Sequence, residues 1–396
     1  MNEPKLRFPG YTGPLKRISC GELFRERKEK GQDHLPILTL SIHTGISDHE
    51  LDDAESIKKV KRSEDKSLYK RVYPNDLAFN MMRAWQGAFG VSKVDGMISP
   101  AYIVAEPIKK INADYLNYYI QTARFIGAAN NLSYGVTDFR KRLYWNSFCK
   151  IEMHLPSLEE QNKIAALLVS IDNTIDKQNE MISAWEERKK GVMQKLLSQE
   201  VRFKADNGSE FPEWEEKRFV NLYCKNVEKN RNLEFDSSKT ISIASMQFNE
   251  KGNGASEDSL SGYKVLRLGD IAFEGHENKK YSHGRFVLND IGDGIMSPRF
   301  SCMRPVCTQV YGFWKYYIHS ENVMRDILVR STKKGTMMHE LVISDFLKQS
   351  IMVPSIPEQQ KIADCFSALD KVIEQQKARL AAWEELKKGL LQQMFV

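Results

Sequence analysis

The sequence predicts an α+β protein built as a pseudo-twofold internal repeat, in which two related mixed α/β domains alternate with two long helices that pair as an antiparallel coiled coil. Three observations predict it. First, Pro156-Ser157-Leu158-Glu159-Glu160-Gln161-Asn162-Lys163-Ile164-Ala165 returns as Pro354-Ser355-Ile356-Pro357-Glu358-Gln359-Gln360-Lys361-Ile362-Ala363, at an offset of about 198 in a chain of 396 residues. Second, apolar residues recur every seventh position through both copies. Third, Gly96, Ser99-Pro100, Tyr118-Tyr119-Ile120 and Phe148 find Gly294, Ser297-Pro298, Tyr316-Tyr317-Ile318 and Phe346 at the same spacing, so the repeat extends beyond the helices. Two copies are too few for a solenoid and make one chain the equivalent of a symmetric pair. The segments are a first domain at 1–154, a central helix segment at 155–200, a second domain at 201–352 and a C-terminal helix segment at 353–396.

Each domain reads as mixed α and β. In the first, strand-like runs lie at Leu35 to Ile42, Met97 to Pro107 and Phe148 to Leu155, with a helix from Ala113 to about Ala129. The second has runs at Thr240 to Phe248, Tyr263 to Phe273 and Ile295 to Val306, and a helix from Tyr311 to about Arg330. Elsewhere the two domains diverge, as expected of a shared scaffold whose loops recognise two different targets.

The central helix is expected from Leu158 to about Leu197, a stretch without proline whose first glycine is Gly191. One line of sevens reads Ile164, Ile171, Gln178, Trp185, Val192 and the other Leu168, Ile175, Ile182, Lys189, Leu196. The second copy keeps the register, with Ile362, Leu369, Gln376, Trp383, Leu390 beside Phe366, Ile373, Leu380, Lys387, Met394. Each helix would be about 60 Å long, and the other copy is its natural partner. Gln178 and Gln376 share the central position, where they either pair across the seam and penalise slipped registers or face solvent. Trp185 and Trp383 read as packing residues. Lys189, Lys190, Lys387 and Lys388 fall where cations complement the negative end of a helix dipole.

Composition is that of an ordinary globular protein, 41% hydrophobic and 28% charged, with no run approaching a membrane span and no apolar leader after Met1, which points to the cytoplasm. The six cysteines are scattered, and His276, His283, His319 and His339 match no ligand spacing, so no metal is expected. The net charge of +6 lies outside the helices: roughly +6 for 1–154, −2 for 155–200, +2 for 201–352 and 0 for the remainder. That placement suits a polyanion partner of the domains. The candidate phosphate and base contacts are Lys66, Lys70, Arg71, Arg83, Lys93 and the run Arg140-Lys141-Arg142 in the first domain. In the second they are Lys279, Lys280, Arg285, Arg299, Lys333, Lys334 and His339.

Leu155-Pro156-Ser157-Leu158-Glu159-Glu160-Gln161 and Val353-Pro354-Ser355-Ile356-Pro357-Glu358-Gln359, each followed shortly by Lys-Ile-Ala, carry a resemblance that covers the whole chain. So do Leu6-Arg7-Phe8-Pro9-Gly10 and Val201-Arg202-Phe203 with Glu210-Phe211-Pro212-Glu213-Trp214 ahead of the two domains. The chain resembles the specificity subunits of type I restriction-modification systems. The resemblance implies two target-recognition domains that each read half of a bipartite DNA sequence, separated by helices that act as a ruler. It implies as partners two modification subunits that methylate adenine with S-adenosylmethionine and two restriction subunits that use ATP and magnesium, with no cofactor in this chain. It also points to the loops after Gly135 and Gly335, with Asp138, Arg140, Lys141, Thr336, Met337 and His339, as a contact region.

Consistent with a non-catalytic role, the sequence has no Asn-Pro-Pro-aromatic tetrapeptide, no glycine-rich cofactor loop after a strand and no Gly-x-x-x-x-Gly-Lys. A second class stays open, a coiled-coil interaction protein whose domains bind protein. Salt separates the two, because phosphate contacts make affinity fall steeply as salt rises.

Overall fold

In a computed structural model, which describes residues 3–32, 34–42, 45–47, 68–136, 140–249 and 257–395, the chain divides into two compact units. One is Met1–Glu180 together with Lys377–Val396, and the other is Met181–Gln376. Each therefore holds one domain, half of the central helix and half of the C-terminal helix.

The first unit is organised by a four-stranded antiparallel sheet in the order Phe24–Arg27, Tyr102–Pro107, Leu77–Asn80, Phe89–Val91. Its two inner strands carry the apolar runs Ile103-Val104-Ala105 and Leu77-Ala78-Phe79 because both of their faces are covered. Leu77, Phe79, Ile103 and Ala105 enter the main core with the helices Ala113–Tyr119 and Ala123–Leu132. The alternate residues Ala78 and Val104 face a smaller core with Leu38, Val72 and Ile98. The second unit repeats the order with Tyr223–Lys225, Ser301–Pro305, Ile271–Glu274, Arg285–Leu288, and again splits Ile271, Phe273 and Met303 from Ala272, Val287 and Cys302.

The expected strands and helices are present but more finely cut. Met97 to Pro107 is two strands in different sheets, Gly96–Ile98 and Tyr102–Pro107, because the chain turns at Ser99-Pro100 and Tyr102 N donates to Ser99 O at 3.0 Å. Tyr263 to Phe273 and Ile295 to Val306 are divided likewise, into Lys264–Leu266 and Ile271–Glu274, and Gly294–Met296 and Ser301–Pro305. The helix expected from Ala113 is interrupted where Thr122 caps a new helix by accepting from Phe125 N at 3.3 Å. Its counterpart is two helices, Tyr311–Tyr317 and Glu321–Ser331. Leu35 to Ile42 holds strand only at Thr39–Ser41, and Phe148 closes a short helix, Trp145–Phe148, before the strand Glu152–Leu155.

The central helix runs Leu158–Leu197 and the C-terminal helix Ile356–Met394. In the first unit Met394 and Phe395 share the core of Ile164, Ala165 and Leu168, while Lys387 reaches Asp172 at 2.6 Å. Position rises along one helix as it falls along the other, so the pair is antiparallel. The second unit shows the same sense, with Leu196 and Leu197 beside Ile362 and Phe366 in one core and Lys189 paired with Asp370. Of the expected seam residues, Ile164, Ile171, Gln178 and Ile362 are buried, and Trp185, Leu369, Gln376 and Trp383 are half-buried.

Two of the four helical lysines, Lys189 and Lys387, have carboxylate partners that the dipole reading did not foresee. Lys387 Nζ and the Tyr118 hydroxyl both reach the Asp172 carboxylate at 2.6 Å, and Lys189 and Tyr316 both reach Asp370. Each triad ties a domain helix to both long helices. A second duplicated tie secures the start of each long helix: Arg7 donates to Glu160 at 2.9 and 2.6 Å, and Arg202 to Glu358 at 3.1 and 2.9 Å. Gln161 and Gln359 brace the same turns by donating to Pro156 O and Pro354 O, at 3.0 and 2.9 Å. The strings most alike in the two halves are thus those that dock a domain on a helix.

Candidate nucleic-acid interface

In each unit two connections meet and collect cations. In the first, the loop after Leu77–Asn80 is shaped by Asn80, whose side chain accepts from Met82 N at 2.9 Å and whose backbone oxygen accepts from Arg83 N at 3.0 Å. The segment after the helix Ala123–Leu132 doubles back through reciprocal bonds between Tyr134 and Arg142, at 3.2 and 3.0 Å. Leu143 N donates to Met81 O at 2.9 Å and joins the two connections. Arg83, Arg140 and Arg142 are exposed on these adjoining segments, and Lys141 is half-buried. Tyr134 and Tyr144 flank the run with exposed rings 5.0 Å apart.

The second unit builds the same locus from different residues. After Ile271–Glu274, Asn278 accepts from the backbone N–H of Lys280 and Tyr281, both at 2.9 Å, and the turn presents exposed Lys279 and Lys280. After the helix Glu321–Ser331 comes a hairpin, Thr332–Lys334 against His339–Leu341. His339 N donates to Gly275 O at 2.9 Å, its ring stacks on His283 with centroids 5.2 Å apart, and Nε2 lies 3.7 Å from Glu277. Lys333 and Lys334 stand exposed on the hairpin, Lys333 pairing with Glu340 at 3.3 Å. Nearby His319 adds no charge at neutral pH: burial, reinforced by Arg285, pushes its imidazole down to about 4.

Most of the remaining predicted contacts are engaged within their own unit. Lys70 Nζ donates to Tyr102 O at 2.7 Å, and burial pulls the amine below an ordinary lysine. Arg71 lies 4.6 Å over the Tyr73 ring and 3.3 Å from Asp95. Lys93 pairs with Asp114 at 3.5 Å, and Arg285 with Glu274 at 2.7 Å. Arg299 is exposed over Phe300, on the wall of a cleft of about 230 Å³ shared with Thr240, Ser242 and His276. Lys66 and Asp138 lie outside the described residues.

Sequence reasoning missed Tyr134, Tyr144, His283 and Glu277. The signal for the first two was present, since aromatic residues bracket the arginine run. Among the described residues no group of three His, Cys, Asp or Glu side chains is arranged to hold a metal ion, and no helix is long and apolar enough to cross a membrane.

One repeated scaffold thus carries cationic loops that differ between the two units. The family model for the type I restriction modification DNA specificity domain matches residues 20–184 and 295–384. The chain belongs to this family. Among curated relatives, the type I restriction enzyme MjaVIII specificity subunit of Methanocaldococcus jannaschii is 26% identical over 318 residues, 75% of this chain and 72% of the relative. The MjaIX specificity subunit of the same organism is 22% identical over 331 residues, 78% and 74%. Solved structures share the fold. The S subunit of a type I system from M. genitalium aligns over 100% of this chain and 99% of its own at a TM-score of 0.52 and 12% identity. The HsdS subunit from Thermoanaerobacter tengcongensis does so over 100% and 99% at 0.53 and 14%. The chain is a type I specificity subunit, a non-catalytic component of its system.

Proposed function

We propose that this specificity subunit reads an asymmetric bipartite DNA sequence, one half-site per domain, and directs adenine methylation or cleavage by partner subunits in the cytoplasm. The observation that carries it is the paired locus: one scaffold presents Arg83, Arg140, Lys141 and Arg142 in one unit, and Lys279, Lys280, Lys333, Lys334 and His339 in the other. Domains at 1–154 and 201–352 supply the half-site contacts, and the helix segments at 155–200 and 353–396 set the spacer. At about 3.4 Å per base pair, a helix of about 60 Å corresponds to at most about 17 base pairs. Two modification subunits would bring S-adenosylmethionine, and two restriction subunits ATP and magnesium. The duplicated helix surfaces would give each modification subunit an equivalent seat.

Single-molecule methylation mapping with and without this gene tests the proposal. A gapped adenine mark that depends on the gene is expected, and its absence overturns the reading. Deleting one heptad from both helices keeps the seam in register and should shorten the spacer by at most about 3 base pairs with both half-sites unchanged. Altered half-sites would refute the ruler.

A further inference from the structure

We propose that Val136 and Met337 are apolar wedges that press against the base steps of duplex DNA, one in each half-site. The proposal rests on reading the chain as a DNA-specificity subunit. Val136 is 91% exposed and Met337 90%, whereas the next most exposed large apolar residue among those described is Val227 at 70%. Such side chains contribute nothing to a core, yet they recur at one place in the repeat. Each follows, by one or two residues, a glycine that pins the turn. A Cβ on Gly135 would lie 2.2 Å from Arg140 O, and one on Gly335 2.6 Å from Met338 O. The returning backbone presses on the glycine, and the apolar side chain stands clear.

Cations flank both tips along the chain. Lys333 and Lys334 lead to Met337, and Arg140 and Arg142 return from Val136 beside the exposed Tyr134 ring. An apolar protein pocket would strip water from those cations without compensation, whereas a DNA groove offers phosphates around stacked bases. Apolar side chains inserted at base steps are an established means of unstacking and bending a duplex, which the cations then hold. The two tips differ in shape, one branched and short, the other long and flexible, so they would favour different steps.

The test uses the full chain assembled with its modification subunits, and a duplex of the mapped methylated sequence carrying 2-aminopurine in one half-site. Met337→Ala and Val136→Ala should each weaken binding about tenfold, most for Met337, because a buried apolar contact is lost. The slope of log affinity against log salt should stay unchanged, since no phosphate contact is removed, whereas Lys333→Ala with Lys334→Ala should reduce it by about one for each lost contact. The fluorescence rise on binding should disappear only in the half-site of the altered tip, and Met337→Leu should restore it. Unchanged affinity and fluorescence in both alanine variants would overturn the wedge. So would variants that weaken subunit assembly while the assembled complex binds DNA normally, which would make the tips protein contacts. If the wild-type complex does not bind the duplex at all, the DNA reading itself falls, a result distinct from either.

Discussion

Replacing Arg202 by alanine should destabilise the second unit more than any change to an exposed charge. The Glu358 side chain is 1% exposed and takes two bonds from the guanidinium, at 3.1 and 2.9 Å. Arg202 also donates to the backbone oxygens of Phe211 at 3.2 Å and Pro212 at 2.5 Å, and its loss strands the part-buried Phe211 carbonyl as well. Removing one partner of a buried ion pair costs about 3–5 kcal/mol because the other charge is left uncompensated. Two effects reduce this. Glu358 lies in the first turn of the C-terminal helix, where the dipole favours a carboxylate by about 0.3–1 kcal/mol, and Arg202 is itself 16% exposed, so water partly replaces it. A loss of about 2–4 kcal/mol is expected. Adding Glu358→Gln to the alanine variant should recover about half, since the stranded charge is the main cost. Urea unfolding followed by tryptophan fluorescence reads the second unit through buried Trp214 and Trp314, with two transitions fitted because a two-unit chain need not unfold in one step. A loss under about 1 kcal/mol, or a glutamine that adds its own loss, would refute the reasoning.

Two further outcomes follow from the same kind of reasoning. In the Tyr118–Asp172–Lys387 triad, Tyr118→Phe and Asp172→Asn should each cost about 1–2 kcal/mol and couple by about 1 in a double-mutant cycle. Lys387→Met should cost under about 1, because Lys387 and Asp172 are 30% and 32% exposed; a coupling near zero would show the triad to be incidental. His319 predicts a pH dependence. Its imidazole is held at about 4 by burial and by Arg285, while the unfolded chain titrates near 6.5, so the unfolded state binds more protons between those values. Stability of the second unit is then full above about 6.5 and declines as pH falls through about 4, by at most about 3 kcal/mol. His319→Gln should flatten that decline in acid titrations, and an unaltered slope would exclude His319 as its source.

The helices were legible because a heptad is a local pattern: Ile164, Ile171 and Ile362 declare a buried seam without reference to anything distant. What the seam lysines do was not legible. Lys189 meets an aspartate 181 residues away, on a helix whose direction has to be known first, so the basic residues near each helix end read as dipole partners instead. The domain strands were found but fused, since burial on both faces removes the alternation that would have marked their ends. Only Ser99-Pro100 and Thr122 hint at the breaks. The basic residues of the two cationic loci were visible singly, but their sorting was not. Arg71 pairs with Asp95 across a sheet, whereas Arg140 and Arg142, in a segment tied to Met81, have no such partner among the described residues. Tertiary contact alone separates those cases.

The repeat also shows which differences between the halves are compensated within the scaffold. Both units bury an aspartate, Asp76 and Asp270, that accepts from the backbone N–H three residues earlier, Tyr73 N and Arg267 N, each at 2.9 Å. Burial pushes both carboxyls above an ordinary aspartate, and one guanidinium opposes it in each case: Arg27 at 2.7 Å in the first unit, Arg304 at 2.9 Å in the second. The arginines come from different strands. Arg25 is paired with Glu106 in one sheet where Cys224 is paired with Arg304 in the other, so the place of Arg304 is held by a glutamate in the first unit. The acid has moved the opposite way, since Arg27 lies 3.4 Å from Glu106 and Arg304 lies 2.7 Å from Glu228. One requirement, a cation for each buried carboxylate, is met by exchanging partners across a strand pair. Divergence of that sort is compensation, and changing one member alone strands a charge. Val136 against Met337, and the arginine run against the lysine hairpin, diverge without such compensation. Sequence can change there without stranding a buried charge, which leaves these loops freer to diverge than the strand pair.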